Sequence, residues 1–222
     1  MSWNKYIYAF LITVTIFGTA FYLAARLNTQ RITNIRATEE SLATDLLSSE
    51  VQFELLGNTA DCETLSQSPI LADQLNSLAE RLSVTESNLG STNSEVLQLK
   101  KQYTLLEIKD YLLLQQLAHQ CNAKPIYILY FYSNAGDCRD CYKAGQVLTY
   151  MREQYPNLRV YSFDYNLDIS ALHTLITLRK VSNALPAIIV NNKTPFYGFK
   201  TFEEFKTLIP ELKTLATSTP TH

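Results

Sequence analysis

Metal-ligand spacing, basic runs and glycine-rich phosphate loops are all missing from this chain. Its three histidines, His119, His173 and His222, stand far apart, so a zinc site would need Cys138 and Cys141 plus distant ligands. That argues against a metal centre. Nineteen Lys and Arg against 21 Asp and Glu give a net charge of −2, with no clustering that would mark a nucleic-acid footprint. Six glycines, none grouped to cradle a phosphate, give nucleotides no site either. No internal repeat is present. What the chain has is aromatic mass, 14 Tyr and 10 Phe, which falls mostly on apolar faces and reads as core. It also has four cysteines, Cys62, Cys121, Cys138 and Cys141.

Tyr6 to Ala25 is a run of 20 residues without a charge, long enough to cross a bilayer as a helix. Trp3, Tyr6, Tyr8 and Tyr22 near its ends suit an interfacial aromatic belt. A buried soluble helix is the plain alternative. A cleaved signal peptide is the nearer one, because Leu23-Ala24-Ala25 offers small residues; the apolar stretch, however, exceeds a secretory core and the basic n-region is thin. The expectation is an uncleaved anchor over residues 1–27. Lys5 lies on one side and Arg26, Arg31 and Arg36 on the other, a count that slightly opposes export. Long domains translocate largely regardless of flanking charge, and four cysteines suit an oxidising compartment. The C-terminal part is therefore expected outside the cytoplasm, on a single-pass membrane protein.

Residues 28–121 read as a helical neck. Leu42, Leu46, Ser49, Phe53 and Leu56 recur at steps of four and three, as do Leu71, Leu75, Leu78 and Leu82. Val96, Leu99, Tyr103, Leu106, Asp110, Leu113 and Leu117 continue the pattern with one polar interruption, giving coiled-coil-like seams. Breaks fall at Gly57-Asn58 and over 88–93, and Ser68-Pro69 and Thr92 with Glu95 signal helix starts. Three helices are predicted, the last two as an antiparallel hairpin. The seams suit packing within the chain or against a second copy. A hairpin returns Cys121 beside Cys62, so the two are expected to form a structural disulfide; two free thiols are the alternative.

From residue 122 to 215 the signals alternate between strand and helix. Strands are predicted at Ile126–Tyr132, Leu158–Phe163, Ala187–Asn191 and Pro195–Phe199, the last two joined by the polar turn Asn191-Asn192-Lys193. Helices are predicted at Cys138–Tyr155, Asp168–Val181 and Thr201–Leu212, with Asp168 and Thr201 as N-caps and Glu204 completing a capping box on Thr201. The tail, 216–222, is small and polar and is expected to be disordered.

Cys138-Arg139-Asp140-Cys141 sits where the first strand hands over to a helix. A helix N-terminus stabilises a thiolate, and the C-x-x-C spacing lets a second thiol resolve a mixed disulfide formed by the first. Arg139 should lower the Cys138 pKa while Asp137 and Asp140 should raise it. With Leu185-Pro186 directly before the third strand, residues 122–215 resemble the thioredoxin-like superfamily, an α/β domain of βαβαββα order. The resemblance implies a cis Leu185-Pro186 bond beside the dithiol, Cys138 as attacking thiol, Cys141 as resolving thiol, and Leu185-Pro186 as the edge on which a substrate peptide lies. The chain departs from that pattern in having Asp137 rather than tryptophan before the first cysteine and Arg-Asp rather than Gly-Pro between the thiols. The family's buried acid on the preceding strand is also replaced by tyrosine, Tyr130 and Tyr132, leaving water or Asp164 to take a proton.

The expected function is thiol-disulfide exchange with protein thiols and disulfides, without a dissociable cofactor, and with a membrane redox partner implied by the resemblance. The competing reading is a redox-inactive binding module in which Cys138–Cys141 is a permanent structural disulfide. Thiol reactivity separates the two.

Overall fold

A computed structural model describes residues 6–8, 10–22, 48, 50–51, 54–55, 62, 70–155 and 157–215. The chain divides into two compact units, 1–55 and 56–222. In the first, residues 6–8 and 10–22 are helical, with Phe10, Phe17 and Phe21 exposed. Two of its hydroxyls return to the helix's own carbonyls, Thr15 Oγ1 donating to Leu11 O at 2.7 Å and Thr19 Oγ1 to Thr15 O at 2.9 Å. Among the described residues no helix is long and apolar enough to cross a membrane. The span expected from Tyr6 to Ala25 includes positions 9 and 23–25, which lie outside the described residues. So do most of the expected first neck helix, the starts and breaks at 57–58 and 68–69, and the tail 216–222.

The second unit begins its described course with α1 (Ile70–Leu89) and α2 (Ser94–Gln120). Gly90 ends α1 at φ +83°, a left-handed stop that glycine adopts without steric cost, and its N–H donates to Glu86 O. The α2 start lies one residue later than expected. Asn93, not Thr92, caps it, its Oδ1 accepting from Glu95 N at 2.9 Å. Across the hairpin Lys100 Nζ meets Glu86 Oε1 at 2.7 Å. Cys62 and Cys121 are disulfide-bonded, with Cα atoms 5.7 Å apart.

Four strands follow in the spatial order β2-β1-β3-β4: β1 (Ile126–Tyr132), β2 (Leu158–Asp164), β3 (Ala187–Val190) and β4 (Phe196–Tyr197). β1 runs parallel to β2, with Ile126 opposite Leu158, and antiparallel to β3, with Phe131 opposite Ala187. Being central and covered on both faces, β1 is a continuous apolar run rather than an alternating one. β3 turns into β4 through Asn191 and Asn192 at φ 47° and 62°, the left-handed pair of a tight hairpin turn.

Helices α3 (Cys141–Gln154), α4 (Ser170–Leu178), α5 (Phe202–Leu208) and α6 (Leu212–Leu215) complete the unit. Three of the predicted boundaries are corrected. α3 starts at Cys141 rather than Cys138. α4 is capped by Ile169 without a side-chain bond, not by Asp168. The last predicted helix is two, because Pro210 has no N–H to continue the ladder and α5 stops at Ile209. The Thr201–Glu204 capping box is present.

The sheet separates two apolar clusters. On one face Tyr130 and Ile128 pack on Leu148 and Met151 of α3 and on Phe205 of α5. On the other, Leu129 and Phe131 pack with Leu172 and Leu175 of α4 and with Ile108 and Tyr111 of α2. The neck helix thus belongs to the sheet's own core, and the division at 121/122 is one of sequence rather than packing. The predicted seam is buried at Val96, Leu99 and Leu113, and a second stripe that it did not include, Thr104, Glu107, Ile108 and Tyr111 at helical spacing, is buried as well. Tyr111 bridges by accepting from Arg179 and donating to Asn192 Oδ1, the latter at 3.1 Å.

Candidate functional site

β1 delivers the chain to the dithiol through residues 133–140. Ser133 is buried there, and its Oγ accepts from Ala135 N at 3.1 Å and from Asn166 Nδ2 at 2.7 Å, tying this loop to the one after β2. Gly136 holds φ +82°, which a side chain would strain. Cys138 and Cys141 are joined, with Cα atoms 5.5 Å apart. Cys141, the first residue of α3, is 6% exposed, whereas Cys138, three residues ahead of the helix, is half-buried. This corrects the expectation that Cys138 opens the helix and Cys141 lies a turn inside. The left-handed Gly136 and the bridge between the two sulfurs hold 136–140 as a turn. The free N–H groups of α3 therefore begin at Cys141, and Cys138 meets the helix end from outside.

Of the residues expected to tune the thiols, Asp137 and Arg139 are exposed. Asp140 occupies the N-cap position without a side-chain cap bond, and its carboxylate meets Lys143 Nζ at 3.1 Å instead. That pair is solvated and worth little. Beneath the dithiol, Tyr130 donates its hydroxyl to Cys141 O at 2.5 Å and stacks on Tyr132 with ring centroids 5.5 Å apart. Burial pushes both phenols up, so neither gives up its proton near neutrality. Asp164, the expected alternative acid, ends β2; burial raises its pKa, against a hydrogen bond from Asn166 N.

The sequence did not point to Glu107. From the middle of α2 it is 1% exposed, Oε1 accepts from Ser162 N of the edge strand β2 at 2.9 Å, and the Tyr103 side chain also hydrogen-bonds to the carboxyl group. Burial is the main cause lifting its pKa well above the ordinary carboxylate value. It shares a buried stripe with Thr104, Ile108 and Tyr111, half of it polar, so hydrophobic periodicity does not mark it. It borders a smaller polar cavity with Tyr103, Asp110 and Arg159.

The Leu185–Pro186 bond is cis. Pro186 is buried and its carbonyl accepts from Gly198 N at 2.8 Å. Because Ala187 is opposite Phe131, Pro186 falls at the level of Tyr132, at the same end of the sheet as the dithiol. An open cleft of about 650 Å³ runs from both cysteines along the other side of α3, toward β2 and Glu86. Pro186 does not line it. Among the described residues no group of three or more His, Cys, Asp or Glu side chains is placed to hold a metal ion.

No family model matches the chain, and no curated protein matches it. Two solved structures align with it. One is described as a malarial protein, 20% identical, covering 40% of this chain and 97% of that one at a TM-score of 0.33. The other is thioredoxin O2 from Arabidopsis thaliana in its oxidised state, 22% identical, covering 39% of this chain and 74% of that one at a TM-score of 0.32.

Proposed function

We propose that the protein is a membrane-anchored thiol-disulfide oxidoreductase of thioredoxin-like architecture that exchanges disulfides with protein substrates outside the cytoplasm. The observation that carries the reading is the asymmetry of the dithiol: Cys138 half-buried at the mouth of an open cleft, Cys141 buried at the first turn of α3. An accessible thiol suits attack, and a buried one suits resolution. The cis Leu185–Pro186 bond at the same end of the sheet supports the same architecture.

In the oxidising direction a substrate thiolate attacks Cys138 Sγ, the bond to Cys141 breaks, and Cys141 leaves with the electron pair as a thiolate that takes a proton. A second substrate thiolate then attacks the substrate sulfur of the mixed disulfide, releasing Cys138 and forming the substrate disulfide. Reduction is the reverse. No dissociable cofactor takes part in either direction, and a membrane redox partner would reset the pair. The uncharged run from Tyr6 to Ala25 supports the anchor, as do the apolar side chains exposed around its described helical residues and the hydroxyls of Thr15 and Thr19 turned onto their own helix.

The test is a redox titration of the detergent-solubilised full chain. Rapid exchange of Cys138–Cys141 with dithiothreitol or glutathione at a potential above about −300 mV supports the enzyme. A bond that resists both marks a structural disulfide and overturns the reading. For the anchor, retention in the membrane pellet after an alkaline carbonate wash is expected, and release would overturn it.

A further inference from the structure

The cleft beside the dithiol lies between α3 and the helical hairpin, on the β2 side of α3 rather than the Pro186 side. Cys141, Gly145, Leu148 and Arg152 form its α3 wall, at spacings of four, three and four that keep them on one helix face. Its floor includes Tyr130 and Val160. Gly145 matters to the shape, since a Cβ there would stand 3.9 Å from the Tyr130 ring and narrow the passage.

Length and charge together describe an occupant. Eleven residues of helix separate Cys141 from Arg152, a rise of about 16 Å, which an extended chain spans in about five residues. A small thiol falls well short of that. The charged side chains lining the cleft are Glu86 and Arg152. Glu86 is neutralised at 2.7 Å by Lys100, whereas Arg152 enters none of the ion pairs found among the described residues. On its other side Arg152 shares the smaller cavity with Asp110 and with Glu107, whose pKa burial raises. Within the cleft, the charged side chain at the far end is Arg152.

We propose that the cleft takes an extended peptide whose cysteine reaches Cys138 while an acidic side chain about five residues away pairs with Arg152. This rests on the thiol-exchange reading above and adds to it a substrate class and a specificity residue, Arg152, remote from the reacting sulfurs.

The test uses the full chain in detergent, carrying Cys141→Ser so that mixed disulfides accumulate, with Cys138 reduced. Each peptide carries its cysteine as a disulfide with thionitrobenzoate. Cys138 thiolate attacks the peptide sulfur, a Cys138–peptide bond forms, the peptide–thionitrobenzoate bond breaks, and the electron pair leaves on the coloured thionitrobenzoate anion. Peptides with a Gly/Ser spacer carry Glu, Gln or Lys at the fifth residue on either side of the cysteine. Glu is expected to react about threefold to tenfold faster than Lys at low salt, as for a solvated ion pair replaced by a repulsion. The order should be Glu, Gln, Lys, with the gap closing in high salt and reversing in Arg152→Glu. Equal rates for the three peptides, or an unchanged order in Arg152→Glu, overturn the proposal. A mixed disulfide of hydroxyethanethiol and thionitrobenzoate separates the two levels. If Cys138 reacts with it but ignores the peptide charge, only the cleft assignment fails. If Cys138 is inert toward it, the thiol-exchange reading fails and the cleft assignment with it.

Discussion

Replacing Glu107 with Gln should change how stability depends on pH, and the structure dictates the sign. Glu107 is 1% exposed, and hydrogen bonds from Ser162 N, at 2.9 Å, and from the Tyr103 side chain only partly offset the cost of burying a charge. Its folded-state pKa is therefore raised, chiefly by burial, above an ordinary value of 4.5. A raised carboxyl contributes stability that is fully present below the unfolded pKa. That contribution is lost as pH rises through the window up to the folded pKa, because the native state there holds a proton the unfolded chain has released. Within the window the loss is about 1.4 kcal/mol per pH unit. Gln has no proton to lose and can keep its carbonyl on Ser162 N. Urea unfolding of the oxidised chain, followed by circular dichroism from pH 5 to pH 8, should give nearly equal stabilities at the acid end and a gap in favour of Gln that widens with pH. Glu107→Ala gives a different result, a loss of about 1–3 kcal/mol even at the acid end from the orphaned Ser162 N–H. Parallel wild-type and Gln profiles, or a Gln variant that is weaker throughout, would refute the argument and mean that Glu107 is ionised in the fold.

After mild reduction, iodoacetamide should label Cys138 well before Cys141, since Cys141 is 6% exposed; mass-spectrometric mapping that finds the reverse order would exchange the two roles. Removing the Cys62–Cys121 bond with paired alanines opens a loop closed across a separation of 59 residues, so the chain-entropy argument expects a loss of about 4 kcal/mol in urea unfolding. Tyr130→Phe deletes the 2.5 Å hydrogen bond to Cys141 O and should lower stability by about 1 kcal/mol, while Tyr132→Phe, on the other stacked ring, serves as comparison. Thr201→Ala breaks a complete capping box and should cost about 1 kcal/mol.

Signals confined to a few neighbouring residues carried most of what was legible. The β1 run, the capping box at Thr201 and the Asn191-Asn192 turn each rest on local steric or hydrogen-bonding rules, and each stands where those rules place it. The misplaced boundaries have local causes that were available too. Pro210 breaks the last helix, which was read straight across it, and the turn that Gly136 opens delays α3 past Cys138.

What could not be read locally is the partner of each helix face. The leucines of the neck suggested a self-contained seam, and that pattern hides a second face on α2, where Thr104, Glu107, Ile108 and Tyr111 lie against the sheet. Two of those four are polar, so no hydrophobic period reports them. They are tolerated because the edge strand has something to pair with. Ser162 N projects from the free side of β2, and Glu107 accepts from it, so the helix covers an edge that would otherwise be open to another strand. The same packing brings the α1–α2 hairpin, with Glu86 and Lys100, to the side of α3 opposite Pro186, where it borders the dithiol cleft. The neck is accordingly more than a spacer. Cutting the chain at residue 122 would strip Ile108 and Tyr111 from the core and Glu86 from the lining of the cleft, so the exchange chemistry has to be measured on the chain that carries both.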